Sequence, residues 1–350
     1  MAAEDHGLPP AWTMLDFTFH VEHTDATLVT LYEGHRIVAH LLADNFSQSP
    51  TLKEKYLFFL QVADEYELDG YTVEDFYDWI AEPLLPIFKL LGASTNSLDT
   101  LEGFFYPETH SYDIKADGDA LVAVPRGGAE PALFGIHVAE DLCSPWPCFR
   151  PSEIRPCKEA IGPNPPSPIP SKVILEDGRY AYLKLINPGD RGFLLHELKT
   201  YGQIRDANLG TSLRISSLLG LVRDIDGKVL ALLLRYIECE WQTLTCASGA
   251  ADKHLRQKWA QEVEDTITQL HQSGIVWGDV KPDNVLVDVD DNAWIIDFGG
   301  SYTEDWVPRE LQGTTEGDLA GLGKIKEFLE TPEGMKQEDG ASNDSYTMNT

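Results

Sequence analysis

The sequence predicts an α+β protein in which a separate α/β module precedes a second folded region. Three observations carry this. Residues 13–42 alternate apolar and polar side chains, the period of a strand, whereas 52–91 and 253–272 place apolar residues at helical spacings of three and four. Nine prolines between 145 and 170 interrupt both patterns. Between Ile275 and Gly299, two short apolar runs flank an acidic turn, and Asp279, Lys281, Asn284 and Asp297 stand around them without any packing reason.

In chain order, Leu15, Phe17, Phe19 and Val21, then Leu28, Val29 and Leu31, then 37–42 form apolar runs with turn signals at Asp25 and Glu33-Gly34. Two or three antiparallel strands are expected. Leu57, Leu60, Val62, Tyr66 and Leu68 suit one helix; Val73, Phe76, Tyr77 and Ile80 suit a second, started by Thr72 with Asp75. A third covers 84–91, opened by Pro83. The run Phe76-Tyr77-Asp78-Trp79 reads as core packing rather than a ligand surface. Strand patterning returns over 101–142, notably at 120–124 and 133–138. Proline lacks the N–H that a central strand or helix needs, so 141–170 reads as a linker after a module of unknown function at 1–140.

Strands are then expected at 172–175 and 179–186 around Glu176-Asp177-Gly178, and a helix at 191–204 that buries Phe193, Leu194, Leu198 and Tyr201. Two further strands fit 215–222 and 228–237. Leu255, Trp259, Val263, Ile267 and Leu270 line one face of the helix at 253–272. The polar, aperiodic stretch 336–350 reads as a disordered tail.

The chain has 350 residues, with 57 acidic and 27 basic side chains and a formal net charge of −30. That balance argues against nucleic-acid or anionic-membrane partners, which need a basic footprint. Five cysteines without paired C-x-x-C spacing imply thiols rather than a disulfide framework, and the loose group Cys143, Cys148 and Cys157 does not suggest zinc. With no secretory pattern and no long apolar run, a soluble cytoplasmic protein is expected.

The stretch from Ile275 reads as loop, strand, turn and strand, which sets Asn284 and Asp297 at adjacent ends of a hairpin. Two oxygen ligands brought together in this way suit Mg²⁺ shared with substrate phosphates. Asp279 is placed to accept a hydroxyl proton, and Lys281 to neutralise a transferring phosphoryl group.

These residues resemble the catalytic loop and metal-binding strands of the protein-kinase-like superfamily. Asp279-Val280-Lys281-Pro282-Asp283-Asn284 matches D-x-K-P-x-N, and Asp297-Phe298-Gly299 matches D-F-G at the family's usual gap. The resemblance covers about 172–329 and is most specific over 279–299. It implies a two-lobed domain at 171–335, with a small β-rich lobe at 171–238 and a truncated, mainly helical large lobe at 239–335. It also implies ATP and Mg²⁺ as cofactors and a protein or small-molecule hydroxyl as acceptor. Lys184 would grip the α- and β-phosphates and be set by Glu197 on the following helix; Asn284 and Asp297 would hold Mg²⁺. Asp318 would accept hydrogen bonds from the catalytic-loop backbone, with Gly321 in place of a small serine. Lysine two residues past Asp279 matches Ser/Thr-type members.

The chain departs from the family at four points. The place of the glycine-rich loop, 161–168, holds four prolines, which cannot build a nest of amides. The H-R-D triplet is Trp277-Gly278-Asp279; the glycine argues against switching by activation-loop phosphorylation, and Trp277 is expected to be core without the histidine's hydrogen bonds. Eight residues separate Gly299 from Pro308-Arg309-Glu310, the remnant of A-P-E. The later helices of a full large lobe are expected to have no counterpart after 329. Transfer to a Ser/Thr hydroxyl is the leading reading. The alternatives are a metabolite kinase, favoured by Gly278 and the short segment, and a pseudokinase, favoured by the prolines.

Overall fold

The computed structural model describes residues 12–92, 94, 99–157, 167–209, 213–239, 242–300, 303 and 305–330. The expected tail at 336–350 and the proline-filled 161–166 lie outside the described residues. The chain separates into two compact units between Leu133 and Phe134.

The first unit is a five-stranded sheet with helices. Strands β1 (Thr13–His20), β2 (Asp25–Tyr32) and β3 (His35–Leu42) form an antiparallel meander, as the alternation predicts. Asp25 begins β2 rather than forming the turn. Helices α1 (Pro50–Glu65), α2 (Val73–Ala81) and α3 (Leu85–Leu91) follow. The expected start at Thr72 is a capping box in which Thr72 N–H donates to Asp75 Oδ2 at 2.9 Å. Strand β4 (Glu108–Asp117) then pairs parallel to β3, and β5 (Ala120–Pro125) closes the order β1-β2-β3-β4-β5. Phe76 and Trp79 are core, as expected, and Phe76 stacks on Phe59 at 5.1 Å between centroids.

In the second unit, β6 (Cys148–Phe149), β7 (Arg155–Pro156), β8 (Lys172–Ile174), β9 (Tyr180–Leu185), β10 (Leu218–Arg223) and β11 (Val229–Arg235) make one sheet in the order β6-β10-β11-β9-β8-β7. Residues 141–157, expected as linker, are thus partly sheet. Their two short strands take the two edges, where a strand tolerates proline because no ladder N–H is missed. The strand expected at 133–138 is absent: Ile136 makes a single bridge to Val229, and the apolar pattern reflects burial of Phe134 and Ile136.

Helix α4 (Arg191–Asp206) follows β9, and α5 (Lys253–Gln272) is capped by Asp252, whose side chain accepts from Leu255 N–H at 2.8 Å. Phe193, expected in the buried face of α4, is exposed beside Gly299, while Leu194, Leu198 and Tyr201 are buried. The hairpin β12 (Val285–Val287) and β13 (Ala293–Ile295) pairs Val285 with Ile295. Helix α6 (Thr315–Glu330) is the last described element. One hydrophobic core joins sheet, helices and hairpin. Among the described residues no helix is long and apolar enough to cross a membrane, and no disulfide joins the five cysteines.

Candidate active site

The site begins with a lysine on a strand. β9 pairs with β11, Lys184 opposite Leu232, and alternation turns Lys184 out of the sheet towards α4. There its Nζ lies 3.0 Å from Glu197 Oε2 and 3.0 Å from Asp297 Oδ1. Burial disfavours the Lys184 ammonium, but the two carboxylates outweigh it and hold the pKa well above the ordinary lysine value. Burial pushes the Glu197 carboxyl up, against the pull of Lys184. Burial acts the same way on Asp297, yet Lys184, the Gly299 N–H at 3.1 Å and Lys281 hold that carboxyl below its ordinary value. Asp297 takes a left-handed backbone, φ 59°, which Asp accommodates better than most residues.

The register of the hairpin extends to Ile296, whose N–H donates to the Asn284 carbonyl at 3.0 Å, so Asn284 and Asp297 leave adjacent strand ends. Asn284 Nδ2 donates to Asp279 Oδ2 at 2.6 Å and to the Asp279 carbonyl at 3.0 Å. Because the amide nitrogen is committed to Asp279, the carboxamide oxygen is the atom that could serve as a ligand. Together with the Asp297 carboxylate it gives an oxygen donor set that fits Mg²⁺. Lys281 Nζ stands 3.3 Å from Asp279 Oδ2, and Asp279 is only 4% exposed.

The loop carrying Asp279 is held from below. Asp318 on α6 accepts from Trp277 N–H at 2.8 Å and Gly278 N–H at 2.9 Å, the role expected for it; its Oδ2 also lies 2.8 Å from His271 Nε2. Gly278 has φ 87°, which a side chain such as arginine would strain. At Gly321, a Cβ would stand 2.7 Å from Val280 Cβ, so only glycine lets α6 approach the loop this closely. Trp277 is fully buried, as expected, but it does keep a hydrogen-bonding ring. Its Nε1–H donates to the carbonyls of Ile296 at 2.9 Å and Asp297 at 3.1 Å.

The six candidate site residues thus form two groups, Lys184 with Glu197 and Asp297, and Asp279 with Lys281 and Asn284, which the hairpin joins through the Ile296 N–H on the Asn284 carbonyl. Thr303 was missed. Its hydroxyl accepts from Lys281 Nζ at 3.2 Å and donates to Asp279 Oδ1 at 3.4 Å. Its place a few residues after Gly299 was the one available signal.

Residues 198–313 match the protein kinase domain family. The serine/threonine-protein kinase PKH1 of Saccharomyces cerevisiae is 32% identical over 103 residues, which are 28% of this chain and 12% of that protein. AtPK2/AtPK19, a serine/threonine-protein kinase of Arabidopsis thaliana, is 33% identical over 70 residues, 19% of this chain and 15% of that protein. The chain thus spans a small part of the length of these curated relatives.

Proposed function

Because this chain carries a protein-kinase-like domain, we propose that it is an ATP- and Mg²⁺-dependent phosphotransferase that moves the γ-phosphoryl group onto a Ser or Thr hydroxyl. The contact of Lys184 with both Glu197 and Asp297 supports this best, since it sets a cation beside the hairpin's oxygen ligands. Lys184 grips the α- and β-phosphates, and buried Glu197 fixes its direction. Asn284 and Asp297 would hold Mg²⁺, which would supply positive charge to offset that of the phosphate oxygens. Asp279 orients the acceptor hydroxyl and takes its proton as the new O–P bond forms and the bond to the β-phosphate oxygen breaks. Lys281 stabilises the charge on the transferring group.

A small-molecule hydroxyl is the second reading. It is favoured by the eight residues between Gly299 and Pro308, a short platform for a peptide. Thermal unfolding with ATP and Mg²⁺ tests the common premise: ligand at 100 times its Kd adds about 2.7 kcal/mol. No shift at millimolar nucleotide would turn the reading to a pseudokinase. Radiolabelled transfer to generic proteins against a metabolite panel then separates the two acceptors. Asp279→Asn should lower transfer by about 10²–10⁴-fold while nucleotide binding is retained; loss of binding would show the base to be misassigned.

A further inference from the structure

The first unit holds a cluster that phosphoryl transfer does not use. β3 and β4 run parallel, His35 opposite Glu108 and Ile37 opposite His110. Strand alternation therefore sets His35, Glu108 and His110 on one face, at the starting ends of both strands. His35 Nδ1 is 3.3 Å from His110 Nε2 and 3.7 Å from Glu108 Oε2, and His110 Nε2 is 3.5 Å from Glu108 Oε1.

We propose that His35 Nδ1, His110 Nε2 and the Glu108 carboxylate bind a divalent transition-metal cation of the zinc class. The spacing is the first reason. The two nitrogen–oxygen contacts, at 3.5 and 3.7 Å, are longer than a good hydrogen bond of about 2.7–3.2 Å. A tetrahedral ion with ligands at about 2.0–2.2 Å sets its donor atoms about 3.3–3.6 Å apart. The two imidazole nitrogens at 3.3 Å and Glu108 Oε1 at 3.5 Å from His110 Nε2 match that spacing, and the 3.7 Å contact of His35 is to the other carboxylate oxygen. The second reason is orientation. His35 is 4% exposed and its Nε2 has no partner among the described residues, so Nδ1 is the nitrogen turned to other polar groups. The third is donor chemistry. Two imidazoles with one carboxylate suit Zn²⁺ and its neighbours, whereas Mg²⁺ and Ca²⁺ prefer oxygen alone. The Glu108 side chain is 53% exposed, which leaves the solvent side open for a fourth ligand.

Such an ion ties the start of β3 to the start of β4, two strands that pair across a 65-residue helical crossover. It is independent of the kinase reading. The test uses the full chain, stripped with a chelator and dialysed, then titrated with ZnCl₂ against a chromophoric competitor. His110→Ala should bind one equivalent fewer than the wild type, and Glu108→Gln should bind that equivalent at least tenfold more weakly. His254→Ala, an exposed histidine in the second unit, should leave the count unchanged. With Co²⁺, the lost equivalent should show ligand-field bands without a sulfur charge-transfer band, which separates it from the cysteines. If His110→Ala loses its far-UV circular dichroism, the exposed Glu108→Gln carries the comparison. The same count and affinity in the site variants as in the wild type, or no binding by the wild type, overturns the proposal.

Discussion

Lys184 Nζ stands 3.0 Å from Asp297 Oδ1, across 113 positions of sequence. The same nitrogen holds Glu197, so one ammonium faces two carboxyl groups drawn from a helix and from the end of a hairpin. Removing it leaves a buried charge without its partner. Lys184→Met should lower the unfolding free energy by about 3 kcal/mol, the low end for a broken buried pair because the lysine is only partly covered. Adding Glu197→Gln should recover part of that loss, so the double variant costs less than the two single costs added. Urea unfolding at neutral pH measures all three. Strict additivity would mean that the pair is not coupled.

Asp297 gives the site an acid-sensitive edge. Its folded pKa lies below the ordinary 3.8, so the unfolded chain binds the proton more readily. The stability it adds is present above about pH 4 and is lost as pH falls through the folded value. Asp297→Asn removes that dependence. The difference in stability between wild type and variant should shrink as pH falls from about 5 to 2, by less than about 1 kcal/mol because the side chain is more than a third exposed. A difference that grows on acidification would reverse the assignment.

Asp279, Asn284 and Asp297 were legible because the motif they resemble fixes both side-chain identity and spacing, which a generic run of polar residues does not. Periodicity found α5 and its buried face for the same kind of reason: an amphipathic stripe must repeat. Side chains fixed by neither identity nor period carry no such signal. Phe193 is apolar and in phase, but its neighbour is Gly299 rather than the core. Proline density concealed two edge strands, since proline forbids only the ladder positions an edge does not use. Thr303 meets Asp279 through the fold, and nothing local to a threonine announces a partner 24 positions away. His35 and His110, 75 positions apart, meet only through a parallel pairing that sequence patterns do not specify.

Trp277 supplies a hydrogen bond from a residue expected to be inert. Its indole N–H caps the carbonyls of Ile296 and Asp297, the backbone that aims the Asp297 carboxylate. Trp277→Phe keeps a buried ring and removes the donor. It should lower the unfolding free energy by about 2 kcal/mol, the cost of buried acceptors left without a donor. It should also raise the Mg²⁺ concentration that half-saturates transfer. A variant with unchanged Mg²⁺ dependence would show that the indole contributes packing alone.

Thr303 is expected to act on rate rather than on binding. Its hydroxyl meets both the Lys281 ammonium and the Asp279 carboxylate, which also face each other at 3.3 Å, so it helps to fix their orientation. Thr303→Val preserves shape and removes both hydrogen bonds. A hydrogen bond to a charged group contributes about 1.5–3 kcal/mol, and with contacts as long as 3.2 and 3.4 Å the low end applies, so kcat should fall by about 10-fold. KM for ATP should stay within a factor of about two, because Lys184 and the hairpin ligands are untouched. Thr303→Ser keeps the hydroxyl and should recover most of the rate. Steady-state kinetics on the three proteins decides the matter. An equal loss in Thr303→Ser would point to the threonine methyl group, and a rise in KM with constant kcat would place Thr303 in nucleotide binding.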